Sequence, residues 1–157
     1  MELKQYQKKV LNDYKEFLTD FRIEQNAAAA FATFQKDHGI PAERQEKYHD
    51  IIKSVPRVCF KVPTGGGKTF LACCAIKPTF ALSEERKNKT VVWIVPSDII
   101  LEQTVRNLKY PKHPYRQRID ADFNGNVEVL DRSEANAGQN FSLLGLENRL
   151  TIIVISF

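Results

Sequence analysis

The chain has 157 residues, 43% hydrophobic and 27% charged, which is enough for one globular domain with a core of its own. No apolar run approaches the roughly 18 residues that a membrane-spanning helix needs, and the opening MELKQYQKKV lacks the apolar core of a signal peptide, so a cytoplasmic protein without a membrane partner is expected. The net charge of +4 is compatible with a polyanionic partner but does not identify one.

The first third reads as helix. Leu3, Tyr6, Val10, Tyr14, Phe17 and Phe21 recur at spacings of three and four and so share one helical face. The alanine-rich stretch 25–34 predicts a second helix. Pro41 suits the first turn of a third, whose apolar face would hold Tyr48, Ile51, Ile52 and Val55. The pattern changes at Pro56. Residues 58–62, Val-Cys-Phe-Lys-Val, predict a short buried strand that leads into Pro63-Thr64-Gly65-Gly66-Gly67-Lys68-Thr69. A helix follows through Ile76, which Pro78 ends or kinks.

After a charged loop over 84–89, residues 91–95 form a second apolar strand, and Pro96 closes it. Ser97 is placed to cap a helix reaching about Leu108. Asn124-Gly125 marks a turn before a strand at 127–130, and 151–157 is a last apolar run. Continuous apolar strands separated by helices describe a parallel sheet covered on both faces, an α/β fold with a helical N-terminal segment. The last run reads as a buried strand, which needs neighbours on both sides, so the chain is expected to be a piece of a longer protein. The three cysteines, Cys59, Cys73 and Cys74, lack metal-ligand spacing and are expected free and mostly buried. His38, His49 and His113 likewise have no partner at ligand spacing and are expected at the surface.

Strand, PTGGGKT and helix in that order make a phosphate-binding loop. Three consecutive glycines let several backbone N–H groups converge on phosphate oxygens, because no Cβ stands in the way. The helix that opens there turns its positive end toward them. Lys68 would reach the β- and γ-phosphates of a nucleotide such as ATP, and the Thr69 hydroxyl would ligate Mg²⁺. Thr64, Gly65, Gly66 and Gly67 complete the cradle. Val62 stands where the general pattern has glycine, at the end of the strand.

Three stretches go further. Residues 62–69, VPTGGGKT, resemble motif I of superfamily-two helicases, above all the restriction (Res) subunit of type III restriction enzymes. Residues 91–103, VVWIVPSDIILEQ, are similar to motif Ia of that group. Leu3-Lys4-Gln5-Tyr6-Gln7 resembles the stretch that opens these motors, and the final strand resembles the approach to motif Ib. The resemblance implies a RecA-like P-loop NTPase sheet, with residues 1–55 the helical segment and 56–157 the first part of the ATP-binding helicase domain. It implies ATP and Mg²⁺ as cofactors and DNA, double-stranded, as partner, together with a modification (methyltransferase) subunit. It also implies a contact of Gln7 with adenine, beside the reading of Gln7 as a solvated helix residue, and a contact of Ser97 with the nucleic-acid backbone.

No apolar run followed by Asp-Glu occurs in the chain, so it is expected to hold nucleotide without hydrolysing it. Asp98 reads as a helix N-terminal acid. The basic and aromatic stretch 109–118 reads as a solvated loop at the sheet edge away from Ser97, with nucleic-acid contact the lesser alternative. Two other functions fit a bare P-loop: a kinase or other phosphotransferase, and a non-catalytic nucleotide-binding module. The first would need an acceptor site and lid arginines, of which the sequence offers no clear set.

Overall fold

In the computed structural model, which describes residues 2–52, 55–83, 88–137 and 149–157, the chain forms two compact units, Glu2–Leu71 and Ala72–Phe157. No helix among the described residues is long and apolar enough to cross a membrane.

The first unit is built on a helical hairpin. Helix α1 (Gln5–Glu24) ends where Gln25 turns left-handed at φ 52°, and Asn26 caps α2 (Ala27–Asp37) by accepting from the N–H groups of Ala28 and Ala29, both at 3.0 Å. So short a turn makes the helices antiparallel neighbours. Phe17 meets Phe34 edge-on at 6.5 Å, and Ala27 and Ala30 are small enough to let the backbones approach. The buried stripe of α1 runs through Leu11, Phe17 and Leu18. The expected face was therefore correct only at Phe17. Tyr6, Val10, Tyr14 and Phe21 lie at its margin.

The third helix does not form. A single 3₁₀ turn at Ala42–Arg44 is followed by irregular chain in the described residues up to 52, and Ile51, Ile52 and Val55 are 70%, 62% and 50% exposed. Side chains fix this backbone instead. The buried Gln35 amide donates to the Glu46 carbonyl at 3.0 Å and accepts from the Glu46 N–H at 2.7 Å, while the Tyr48 hydroxyl accepts from the Arg57 N–H. An amphipathic helix needs an apolar surface to dock on, and these isoleucines meet none. Residues 58–62 do not form a strand either. Val58, Cys59 and Lys61 are exposed, Phe60 and Val62 are half-buried, and Phe60 packs edge-on against Tyr14 at 5.1 Å. No described segment pairs with their backbone, and a strand exists only through its ladder.

Helix α3 (Lys68–Phe80) runs past Pro78, which neither ends nor is followed immediately by a break. In the last turn a proline removes one bond to the carbonyl four residues back, a smaller loss than mid-helix. The Thr79 hydroxyl donates to the Ala75 carbonyl at 2.7 Å.

The second unit holds a parallel sheet of β1 (Lys89–Val95), β2 (Val127–Asp131) and β3 (Leu150–Ser156), in the order β1-β3-β2. Lys89 pairs with Leu150 and Val95 with Ser156 on one side, and Val127 pairs with Leu150 on the other. The last strand is thus central, as its unbroken apolar character requires, and Leu150, Ile152 and Val154 are completely buried. The core beneath them holds Cys73, Ile76, Leu108 and Ile119, with Trp93 and Val91 packed against it.

Helix α4 (Asp98–Lys109) begins at Ser97 as expected, and Asn124 and Gly125 turn left-handed before β2. The second half of the stretch read as a basic loop, 114–118, is instead the start of helix α5 (Pro114–Phe123). Its signals were present: His113 caps it through Nδ1, Pro114 opens it, and Arg116–Asp120 and Arg118–Asp122 are ion pairs one turn apart. A short α6 (Arg132–Asn136) follows β2 behind an Asp131–Glu134 capping box. The charged loop at 84–89 lies mostly outside the described residues.

Candidate functional site

The glycine-rich loop owes its shape to one turn and three glycines. The Gly66 N–H donates to the Pro63 carbonyl at 2.9 Å, and Gly65 sits in the left-handed region at φ 73°. Gly67 follows at φ 70°, and its carbonyl accepts the first helical bond of α3, from the Leu71 N–H at 3.0 Å. Gly66 is held for a different reason. A Cβ there would come within 2.6 Å of Val62 Cγ1 and 2.7 Å of the Pro63 carbonyl, so the loop folds only around a hydrogen.

The start of α1 packs on this loop. The Tyr6 hydroxyl and Gln7 Nε2 both donate to the Gly66 carbonyl, at 2.7 and 2.8 Å. Gln7 Oε1 accepts from the Lys4 N–H at 2.8 Å, which satisfies one of the open backbone donors at the N-terminus of α1. Gln7 is 2% exposed, so it is not a solvated helix residue. A Cβ on Gly67 would lie 2.8 Å from Gln7 Nε2, which makes that glycine part of the same junction. The sequence reading placed Tyr6 on an apolar stripe and missed its hydroxyl. The signal was its position next to Gln7 ahead of a glycine-rich loop, which becomes legible only when the two are known to touch.

The loop leaves Thr64, Gly65 and Lys68 exposed and Thr69 half-buried. Lys68 Nζ rests on the carbonyls of Val62 and Pro63, at 3.4 and 3.3 Å. Lys68 and Thr69 open α3, and no acidic residue occupies its first turn. The field at this helix end is therefore positive from both the backbone and the ammonium group, and the arrangement suits a phosphate. Gly66 keeps the loop packed tightly on Val62, Pro63 and Tyr6, while Thr64, Gly65 and Lys68 stay exposed at a helix start without acidic residues, and that is the observation that fits the residues to a nucleotide.

Ser97 lies in the second unit, immediately after the carboxyl end of β1. Its hydroxyl accepts from the Ile100 N–H at 3.4 Å, and neighbouring Asp98, in the first turn of α4 as expected, accepts from the Ser156 hydroxyl at the end of β3. The basic residues of α5 are engaged elsewhere. Arg116 bonds Asp120 at 2.8 Å and the carbonyl of Val127, the first residue of β2, at 3.2 Å. Its guanidinium thus lies at the amino edge of the sheet, opposite the edge where Ser97 sits. Cys73 and Cys74 are buried as expected and Cys59 is exposed, against expectation. Burial pushes the Cys73 thiol up to about 12, and the Cys74 thiol in the same direction.

No curated protein and no solved structure matches this chain. A family model described as "Type III restriction enzyme, res subunit" matches residues 1–154. That span takes in the start of α1, the glycine-rich loop, α4 and nearly all of β3, so the loop and its surroundings are matched together and not the loop alone. The chain belongs to the type III restriction enzyme res subunit family.

Proposed function

We propose that the chain is the ATP-binding part of a DNA helicase or translocase motor, the restriction subunit of a type III restriction enzyme, and that it binds ATP with Mg²⁺ at residues 64–69. The single observation that supports the reading most is the tight glycine turn, packed at Gly66 on Val62, Pro63, Tyr6 and Gln7, with Lys68 exposed at the acid-free start of α3. The loop N–H groups and the first turn of α3 would take the phosphate oxygens, Lys68 would neutralise the terminal phosphates, and the Thr69 hydroxyl would hold the metal ion. Bound Mg²⁺ would bridge phosphate oxygens and offset their charge. Gln7 bonds to the Gly66 carbonyl of the loop through Nε2 and to the Lys4 N–H through Oε1, and its contact with adenine rests on the resemblance. Residues 56–157 then make up the first part of the motor domain, and residues 1–55 its helical segment.

No Asp-Glu pair occurs in these 157 residues to position a water and a second metal ligand, so the chain by itself holds nucleotide without turning it over. DNA would meet Ser97 and the N–H groups that open α4, which are sequence-blind donors to phosphate, with a modification subunit as the further partner. So few charges give weak binding by this chain, with Kd on the order of 10⁻⁴ M or worse at physiological salt.

The deciding experiment is a thermal melt with and without Mg²⁺-ATP. At a hundredfold excess over Kd, nucleotide stabilises the folded chain by about 2.7 kcal/mol, and Lys68→Ala removes most of that. No shift in the wild-type chain at millimolar ATP would refute the reading.

A further inference from the structure

The helical hairpin carries a second group of ligand-bearing side chains away from the glycine-rich loop. Asp13 and Glu16 stand one turn apart on α1, and His38, the residue capping the end of α2, reaches across to both. His38 Nε2 lies 3.3 Å from Glu16 Oε2 and 3.7 Å from Asp13 Oδ1, and one ligand atom from each of the three residues lies within 4.8 Å of the others. Nothing in the sequence put His38 beside a ligand. The hairpin turn at Gln25 and Asn26 brings it there, 22 residues from Glu16.

Two features distinguish this set from an ordinary ion pair. The first is the state of the imidazole. Its Nδ1 sits 2.9 Å from the Phe34 carbonyl, an acceptor only, so Nδ1 carries a proton and Nε2 is the atom turned to the carboxylates. The Phe34 ring lies against the imidazole at 4.0 Å between centroids and fixes its plane. A backbone carbonyl holding the far nitrogen is the arrangement that orients metal-bound histidines. The second is spacing. A charge-assisted N–H···O⁻ bond closes to about 2.7–2.9 Å, and neither carboxylate comes that near to Nε2. Two ligands about 2.1 Å from a tetrahedral Zn²⁺ are instead about 3.4 Å apart, close to the 3.3 and 3.7 Å between His38 Nε2 and the two carboxylates.

We propose that Asp13, Glu16 and His38 form a binding site for a divalent transition-metal ion of the Zn²⁺ class, which clasps α1 to the end of α2. One imidazole and two carboxylates make a mixed N/O set that suits Zn²⁺ or Co²⁺ better than Mg²⁺, which prefers all-oxygen octahedral surroundings. The ligand atoms lie at the surface, so an ion enters without unfolding the hairpin, and solvent fills the fourth position. Lys9, which pairs with Asp13 at 2.8 Å, is 69% exposed and turns away freely when an ion takes the carboxylate. The same helix presents Tyr6 and Gln7 to Gly66, so the clasp also braces the helix that supports the glycine-rich loop.

The experiment uses the full chain, stripped with chelator, and titrates Co²⁺ and Zn²⁺ at pH 7.5. One equivalent of Co²⁺ is expected to give a visible d–d spectrum without a thiolate charge-transfer band, and Zn²⁺ is expected to displace it and raise the melting temperature. His38→Gln and the double variant Asp13→Asn/Glu16→Gln should each lose at least tenfold in affinity, whereas Cys59→Ser should bind as the wild type does. Circular dichroism of the variants shows that each is folded. No saturable binding at 100 µM, a thiolate band, or undiminished affinity in folded His38→Gln would each overturn the proposal.

Discussion

The junction between α1 and the glycine-rich loop gives the sharpest test of how this structure is held. Gln7 is buried and uses both ends of its amide, donating to the Gly66 carbonyl and accepting from the Lys4 N–H, each at 2.8 Å. Gln7→Leu removes two hydrogen bonds worth about 0.5–1.5 kcal/mol each, so a loss of about 2 kcal/mol is expected. For a chain of this length that is a fall of roughly 4–8 °C in melting temperature. Gln7→Glu is the more searching change. It keeps the shape and the acceptor for Lys4, but sets a carboxylate oxygen against the Gly66 carbonyl in a buried site. Two acceptors then face each other with no proton between them. The loss should exceed that of Gln7→Leu, because an unpaired buried charge costs more than a missing bond. Tyr6→Phe, which removes one bond to the same carbonyl, should cost about 1 kcal/mol. Since Tyr6 and Gln7 share that acceptor, the double variant Tyr6→Phe/Gln7→Leu should fall short of additivity by at least about 0.5 kcal/mol. The measurement is urea denaturation of all five proteins, followed by helical circular dichroism. A Gln7→Glu protein within about 0.5 kcal/mol of wild type would refute the account of the junction.

Other changes should separate the roles of neighbouring residues. Gly65→Ala meets open space and incurs only the left-handed backbone cost, about 1 kcal/mol, whereas Gly66→Ala drives a methyl into Val62 and Pro63 and should abolish the nucleotide-dependent thermal shift that Gly65→Ala partly keeps. Ser97→Ala should cost about 1 kcal/mol through loss of the α4 cap, while Ser97→Asp keeps a capping oxygen and should lower DNA affinity without lowering the melting temperature. Lys112→Ala should leave DNA affinity unchanged in a binding titration, and Arg116→Ala should destabilise the fold because it strands Asp120 and the Val127 carbonyl. The Cys73 thiol, at about 12 when folded against 9.0 when unfolded, contributes its full stability below pH 9 and loses it as the pH rises toward 12. Stability should therefore drop by about 1.4 kcal/mol by pH 10, and Cys73→Ala should flatten that slope in pH-dependent denaturation.

Local chemistry made much of this protein legible in its sequence. Ser97 behind a strand-ending proline, Asn124-Gly125 at a turn and the apolar run at 151–157 each act over a few residues, and the α4 cap, the turn and the last strand, at Leu150–Ser156, formed there. Helix α5 is equally local, with a cap, a proline and two i,i+4 ion pairs, and its basic residues carry a charge signal that resembles a solvated loop.

The remainder depended on which surfaces meet. Residues 41–55 carry a helical apolar period, yet among the described residues of this stretch only a 3₁₀ turn forms, Gln35 and Tyr48 tie the chain at Glu46 and Arg57, and Ile51 and Ile52 stay exposed. Residues 58–62 have a strand composition without a strand partner. Tyr6 and Gln7 lie about 60 residues from the carbonyl they grip, and His38 lies across a hairpin from the two carboxylates it faces. Periodicity and capping are properties of a few successive residues and are written in their order. Hydrogen bonds and ligand sets between distant residues exist only after the hairpin and the loop have closed, so tertiary structure alone decided them.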